Sequence, residues 1–565
     1  RMRELTWQLL DFHRRADKPH WWAHYERMEA EEPELLEDLE CLAGLRSDPD
    51  RPPVPEKRSM RYHYVVPEQE SKLADGNEVV RADTGEPLGA LQFDADTRRA
   101  SVKIGAARDA PPGTAALVEA LYRFADSVLA GNGRYAALEG LLRREPPRLH
   151  GRAPGTPIVA PDVEVVQGSI DAARLLDHTV LYLQGPPGAG KTYTGARVIV
   201  DALAREQRVG VMSHSHKAIN HLLDGVMKAA RERGVPVDGC RKISNDSQYF
   251  EGFVNCNDNE SVWLNDHALV AGTVWLFADK AADQRLDLLF VDEAGQVSLA
   301  NLVAAGTSAR CIVLLGDQMQ LAQPVQGAHP GHSGDSALEW LLDGAATIAL
   351  DRGIFLATTW RMHPAVCGFI SDAVYDGRLQ PEPHNAQRTL VLSAGAHALL
   401  RPAGIVHARI RHTGCSQRSD EEAELVREVY ASALRQRYTD GKGALHAMTA
   451  DNVLVVAPYN AQVNRLKQVL PADARVGTVD RFQGQEAELV IVSMTTSSEH
   501  DLPRFIEFLY SKHRLNVAIS RAKCLAVVIA NPALTAIKCH TPEQMALVNT
   551  LCWVAEVGTA QSGSA

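Results

Sequence analysis

The spacing of apolar and polar residues changes character along this chain. From Thr179 to about residue 530, short apolar runs alternate with stretches of helical period: Thr179–Leu183, Val209–Ser213, Leu288–Val291, Cys311–Leu315, Val453–Ala457, Glu488–Met494 and Leu525–Ala530. Runs that are apolar at nearly every position suit strands buried on both faces, so the pattern predicts parallel sheets covered by helices, an α/β fold. Upstream, Met60–Val66, Asn77–Arg81, Leu88–Phe93 and Ala100–Ile104 are separated by turn residues such as Asp75-Gly76, which predicts a small β-barrel. Leu117, Leu121, Phe124, Val128 and Leu129 then share one side of a helical stretch, Ala115–Leu142, that runs to a Pro/Gly-rich boundary at Glu145–Pro161. Ahead of the barrel, Leu5–His13, Trp21–Met28 and Pro33–Leu45 read as helices closed by Asp48-Pro49-Asp50-Arg51-Pro52-Pro53. The residues from Val557 to Ala565 read as a disordered tail.

Size and composition narrow the setting. A chain of 565 residues exceeds one hydrophobic core. The expected divisions are 1–57, 58–150, 151–345, 346–540 and a tail over 541–565. The net charge of −11 gives no global basic signature, so any nucleic-acid site has to be a local groove. Nine cysteines include no C-x-x-C pair, which argues against a zinc ribbon and for thiols in a reducing cytoplasm. No apolar run reaches the length of about 18 residues that a membrane span needs, and Arg1-Met2-Arg3-Glu4 lacks a signal-peptide core, so a cytoplasmic protein with no membrane partner is expected. A first residue of Arg rather than Met suggests a piece of something longer.

The sharpest chemistry lies in Gly185-Pro186-Pro187-Gly188-Ala189-Gly190-Lys191-Thr192, between an apolar strand and a helical stretch. It fits G-x-x-x-x-G-K-[ST]. Glycines let backbone N–H groups turn toward phosphates, the helix directs its positive end at them, Lys191 reaches the β/γ oxygens, and Thr192 ligates Mg²⁺. Such a site needs a carboxylate on a neighbouring strand, and Leu288–Val291 ends in Asp292-Glu293. Asp292 is assigned to the metal and Glu293 to the attacking water. Cys311–Leu315 leads into Gly316-Asp317-Gln318-Met319-Gln320, where a neutral amide could touch the γ-phosphate. His214, His216 and His221 span a strand-to-helix junction, a poor geometry for metal and a better one for phosphate or base contact.

The second α/β unit has no such loop but carries Thr358-Thr359-Trp360-Arg361-Met362-His363-Pro364, Ala457-Pro458-Tyr459-Asn460-Ala461-Gln462, Val479-Asp480-Arg481-Phe482-Gln483-Gly484-Gln485-Glu486 and Leu515-Asn516-Val517-Ala518-Ile519-Ser520-Arg521-Ala522-Lys523. In this order, over about residues 160–535, the motifs resemble superfamily 1 helicases. Asp292-Glu293-Ala294-Gly295-Gln296 and Trp360-Arg361-Met362-His363-Pro364 are similar to the 5′-to-3′ branch, which includes the nonsense-mediated-decay helicase and the nuclease-helicase of Okazaki-fragment processing.

That resemblance implies two tandem RecA-like lobes with ATP and Mg²⁺ in the cleft between them. Arg361 and Arg521 would be arginine fingers, Gln320 the γ-phosphate sensor, Glu486 the ribose acceptor, Trp360 the adenine-stacking ring in place of the usual Tyr, and Gln167 the adenine-reading amide. Motif matching makes Ser215, His216, Thr273, Tyr459, Asn460 and Thr478 nucleic-acid contacts. A helix cap or turn bond is the competing role for each hydroxyl. The β-rich segment and following helices resemble the accessory barrel and stalk, residues 225–266 a second accessory insertion, and residues 1–57 the junction of bacterial proteins that fuse a RecB-like nuclease to this helicase. Residues 1–57 hold no acidic cluster of that nuclease, so no nuclease activity is expected within this chain. The implied function is an ATP-dependent helicase walking 5′ to 3′ on single-stranded DNA, with RNA open. An ATP-controlled single-strand clamp or protein-displacing remodeller, which binds without unwinding, is the alternative of a different class.

Overall fold

The computed structural model describes residues 2–17, 27, 35, 38, 40–56, 59–67, 69, 71–82, 87–94, 97–104, 114–244, 248–321, 327–482, 484–503 and 506–560. They form two compact units, one holding residues 7–118 and 324–334, the other residues 1–6, 119–323 and 335–565.

The smaller unit is built on a six-stranded antiparallel sheet. Its order is Arg46–Ser47, Ser59–Val65, Arg99–Ile104, Pro87–Asp94, Glu78–Val80, with Val54–Glu56 also on Ser59–Val65. Val66, Leu91, Ala100 and Val102 make its core. Among the described residues the outermost strands do not bond to each other, so the expected barrel is an open sheet here. Met2–Leu10 is helical as expected. The helix expected over Trp21–Met28 falls almost wholly outside the described residues, and residues 41–45 are not helical.

The larger unit contains two parallel sheets. The first runs Val254–Cys256, Gly239–Lys242, Leu269–Gly272, Val209–Met212, Leu286–Val291, Ala309–Gly316, Val180–Gln184, Gly353–Phe355, with every pairing parallel. Leu181, Ile199, Val211, Leu222, Phe290 and Val313 sit in one of its cores. Sequence reading differs from this sheet at two places. Residues 225–266 supply two of its strands and so extend the sheet rather than stand apart from it. Gly353–Phe355 lies beyond the expected division at 345, yet pairs with Val180–Gln184 as an edge strand. Apolar spacing identifies a strand but not its neighbour, because pairing is set by tertiary packing.

The second sheet runs Gly404–Arg409, Ala522–Ala530, Ala487–Ser493, Val453–Val456, Arg475–Gly477, again all parallel. Val406, Val426, Val455, Ile491 and Val527 fill its core. In a parallel sheet, the loops that carry chemistry cluster at one edge. The loop 185–190, Ser213–His216, Thr273, Asp292-Glu293 and Asp317–Gln320 all leave the C-terminal edge of the first sheet.

The tail expected over 541–565 is corrected. Pro542–Ala560 is a helix packed against Gly404–Arg409, with Val548, Leu551, Val554 and Gly558 buried in register. A Cβ at Gly558 would collide with the His407 backbone nitrogen. The small residues that made this stretch read as disordered let the helix lie close to the strand. Leu551→Ala is therefore expected to lower stability by about 2–5 kcal/mol, seen as a lower thermal midpoint. The same change at Met545, which is 62% exposed, should leave the midpoint in place; equal effects would contradict the docked helix.

Candidate functional site

The loop after Val180–Gln184 turns through conformations suited to glycine. Gly188 and Gly190 have φ of 74° and 82°, and Gly190 caps the helix Lys191–Ala204. A Cβ at Gly185 would collide with the Lys191 side chain, and one at Gly188 would lie 2.5 Å from the Arg361 Cβ. The result is a backbone cradle at the start of a 14-residue helix, the geometry that receives phosphate. Lys191 Nζ donates to the Gly185 carbonyl at 2.8 Å, holding the ammonium at the loop. The Thr359 hydroxyl donates to the Pro187 carbonyl and the Trp360 amide to the Gly188 carbonyl, both at 2.9 Å. Trp360 nevertheless keeps 60% of its surface exposed, so its ring is available for stacking.

Asp292 and Glu293 end the strand Leu286–Val291. Asp292 is buried. Burial, and then the adjacent Glu293, push its carboxyl up to about 7 against the pull of Lys191. Glu293 has a φ of 52°, a left-handed conformation that a non-glycine residue adopts at a cost. One strand over, Asp317 is also buried; burial raises its carboxyl, with Lys191 acting in the other direction. Its Oδ2 accepts from Gln320 Nε2 at 3.0 Å and from the Tyr375 hydroxyl at 2.6 Å.

The second sheet brings its arginines to the same place. Arg521 precedes Ala522–Ala530 and Glu486 precedes Ala487–Ser493, and these strands pair from Ala487↔Ala522 onward. Arg521 is 2% exposed, with no hydrogen-bond partner for Nε or Nη2 among the described residues. Burial, then Arg361, pull its guanidinium down to about 9, while Glu293, Glu486 and Tyr375 favour its charge. A surface ion pair is thereby excluded for Arg521. Arg361 does make one: its Nε lies 2.7 Å from Glu486 Oε2, and Nη1 donates to the Ser520 carbonyl at 3.3 Å. Lys523 Nζ takes the other Glu486 oxygen at 3.1 Å. Burial opposes the Glu486 charge, but Arg361 and Lys523 outweigh it and hold the carboxyl below its usual range. Gln167 is exposed on the helix Val165–Arg174, its Nε2 donating to Asp171 at 3.0 Å.

The nucleic-acid candidates divide. Ser215 Oγ accepts from the Ala218 amide at 3.2 Å, the helix-cap role weighed against it. His216 Nδ1 accepts from Arg241 at 3.2 Å, which leaves Nε2 to carry the ring proton. Burial, followed by Arg241 and Lys242, depresses His216 to about 4, so at neutral pH it is an uncharged hydrogen-bonding group. Thr273 precedes the helix Val274–Ala278 and its side chain caps nothing. Asn460 is exposed, and Thr478 is half-buried. Tyr459, expected as a nucleic-acid contact, is 5% exposed and stacks on Phe508 at 5.5 Å between centroids, which leaves its ring little surface to offer a strand.

Known proteins resemble the chain over this same stretch. Two AAA domain family models match it, one over residues 169–332 and one over residues 338–533. DNA polymerase alpha-associated DNA helicase A of Schizosaccharomyces pombe is 25% identical over 414 residues, 62% of this chain and 60% of that protein. The Regulator of nonsense transcripts 1 homolog of Arabidopsis thaliana is 25% identical over 442 residues, 69% of this chain and 34% of that protein. The chain is thus similar, across both parallel sheets, to proteins named as helicases. It spans less than two thirds of the length of either relative. Among solved structures, the helicase nonstructural protein 10 of an arterivirus matches with a TM-score of 0.38 and 14% identity, over 83% of this chain and 76% of that one.

The donor set can be tested against a magnesium-bound triphosphate. Thr192 and Asp292 are oxygen donors of the hard type that Mg²⁺ takes, with phosphate and water completing its shell. Among the described residues no group of three or more His, Cys, Asp or Glu could hold a metal by itself. Buried Asp292 beside the half-buried Glu293 calls for a cation, and unpartnered Arg521 nitrogens call for an anion, so the residues fit the pair of ligands.

Several members of the site carried no assignment from sequence. Asp317 read as an ordinary turn residue, Tyr375 carried no motif, and Asn516 and Lys523 lay inside a quoted motif without a role. Burial of Asp317 between two donors was the missing information.

A proton should report the Asp292 environment. Mg·ADP binding followed by calorimetry in two buffers of different ionisation enthalpy is expected to release about one proton near pH 6 and almost none near pH 8.5, because the metal selects the carboxylate. Asp292→Asn should abolish the release. Buffer-independent heats near pH 6 would contradict the raised carboxyl.

Proposed function

We propose that this protein is an ATP-dependent helicase that hydrolyses ATP with Mg²⁺ between its two parallel sheets and moves 5′ to 3′ on single-stranded nucleic acid, DNA in preference to RNA. The observation that carries this reading is Arg521, a buried guanidinium beside the second sheet with unpartnered nitrogens and within electrostatic reach of Glu293 on the first. A γ-phosphate is an anion that satisfies it.

Mg²⁺ held by Thr192 and Asp292 supplies charge neutralisation on the phosphate oxygens. Lys191 exchanges the Gly185 carbonyl for the β/γ oxygens. Glu293 orients the attacking water, and its left-handed backbone fixes where its carboxylate sits. Gln320 turns its amide from Asp317 to the γ-phosphate. Arg521, joined by Arg361, neutralises the transferred phosphoryl group. Trp360 stacks on adenine, Gln167 reads its edge, and Glu486 accepts from the ribose. Gly185, Pro186, Gly188, Ala189 and Gly190 shape the cradle around these groups.

Ser215, His216 and Thr273 on the first sheet, with Asn460 and Thr478 on the second, grip the strand; the Tyr459 contribution is confined to its backbone. Their contacts go to phosphate and sugar, which give hold without sequence readout. On the second sheet these residues leave the C-terminal edge, whereas Arg521 and Glu486 stand at the N-terminal edge. One rigid sheet thereby links the nucleotide to the strand. The motifs around Asp292 and Trp360 support 5′-to-3′ movement. Similarity to a protein named as a DNA helicase, and the likeness of residues 1–57 to a RecB-like nuclease junction, support DNA and a nuclease domain in the same longer protein, and the scattered cysteines without a C-x-x-C pair support a cytoplasmic setting.

Arg521→Ala should leave ATP binding nearly intact and lower kcat by about 10³-fold or more. A large loss of binding with little loss of rate would contradict the finger role. On fluorescent duplexes the wild type should release the strand when the single-stranded tail is 5′ and not when it is 3′. Release from the 3′ tail alone reverses the direction, and stimulated hydrolysis without release from either makes the protein a clamp.

A further inference from the structure

A chain of hydrogen bonds leaves the γ-phosphate side of the site and ends on the helix that leads into Arg521. Gln320 Nε2 and the Tyr375 hydroxyl both donate to the same oxygen of Asp317. The Tyr375 oxygen in turn accepts from Asn516 Nδ2 at 3.1 Å, and Asn516 Nδ2 also donates to the Met319 carbonyl at 2.8 Å. Asn516 lies on the helix Lys512–Ile519, which ends two residues before Arg521 with Ser520 between them. All of these side chains are buried, and Asn516 Oδ1 has no partner among the described residues. Tyr375 follows the helix Pro364–Val374, which packs on both Lys512–Ile519 and the second sheet.

We propose that Tyr375 and Asn516 are positioning residues, a relay that tells the arginine-bearing helix whether the cradle holds a triphosphate or a diphosphate. This rests on the reading of Gln320 as the group that faces the γ-phosphate. Two donors share one Asp317 oxygen, so drawing the Gln320 amide onto a phosphate leaves Tyr375 as the sole side-chain donor to that oxygen. Hydrogen bonds in series polarise one another in a dry interior, so the change passes to the Tyr375–Asn516 bond. Asn516 spends its amide on two acceptors, one from each side of the junction, and its idle Oδ1 costs stability in this arrangement. A helix held by such a balance responds to a small change at one acceptor. His513 Nδ1 also meets the Gln320 carbonyl at 2.8 Å, but that contact reads the backbone of Gln320, not where its amide points.

The test compares ADP with AMP-PNP, which carries a γ-phosphate and is not hydrolysed, by hydrogen exchange over residues 512–521. In the wild type, exchange should be slower with AMP-PNP than with ADP. In Tyr375→Phe and Asn516→Ala, AMP-PNP affinity should stay within about twofold of wild type while the difference between the two nucleotides disappears. A structural role alone would lower affinity or stability without removing that difference. Its persistence in both variants overturns the relay and leaves the nucleotide site standing. Failure of the wild type to bind either nucleotide overturns the site reading and the relay together. Should Tyr375→Phe lose its far-ultraviolet circular dichroism, the Asn516→Ala comparison decides.

Discussion

A guanidinium held at 2% exposure, with two nitrogens lacking any partner among the described residues, is expensive to fold around. Desolvating an ion costs several kcal/mol, and a counter-charge ordinarily offsets it. Among the described residues no carboxylate is bonded to Arg521, and the charge that acts on it most strongly is another arginine, Arg361. Across the junction Asp292 presents the opposite problem, a buried acid with a second acid, Glu293, beside it. The glycine cradle, the strained Glu293 and the lysine that bonds its own loop are arranged around these two uncompensated charges. A metal-bound triphosphate carries both signs and answers both.

The architecture follows from that constraint. Parallel strands deliver their C-terminal loops to a single edge, which is how residues as far apart in sequence as Lys191, Asp292 and Asp317 come to feel one another's charge. The second sheet is turned to contribute through its other edge, with Arg521 and Glu486 preceding adjacent strands. Its C-terminal edge is left for Asn460 and Thr478. A movement of the second sheet driven at the phosphate is then also a movement of the residues assigned to the strand. Thr359, Trp360 and Asn516 are where such a movement would start, since each bonds a backbone carbonyl in a loop of the first parallel sheet.

Much of this was legible in the residues. The phosphate loop, its helix, the Asp292-Glu293 strand end and the order of the later motifs depend on local spacing, which sequence displays directly. Contacts made through tertiary packing were not legible. Tyr375 stands outside any motif, and only the fold puts its hydroxyl on Asp317. Tyr459 matched a motif, yet Phe508 takes its ring. The stretch from 541 read as a tail, with Val557–Ala565 as its small and polar end, although Val548, Leu551 and Val554 fall on a buried stripe of the helix Pro542–Ala560. The strands at 239–242 and 254–256 looked like part of an insertion because residues 225–266 lengthen the path from His216 to Asp292, and pairing of the first to Leu269–Gly272 and of the second to the first makes them part of the sheet.

In the proposed function, hydrolysis waits for the second sheet and a nucleic acid strand controls its position. Steady-state ATP turnover, titrated with single-stranded DNA and with RNA of matched sequence and length, tests it most directly. The account predicts slow turnover by the protein alone and a saturable rise with the strand, larger for DNA. Turnover that is the same with and without either strand would contradict it.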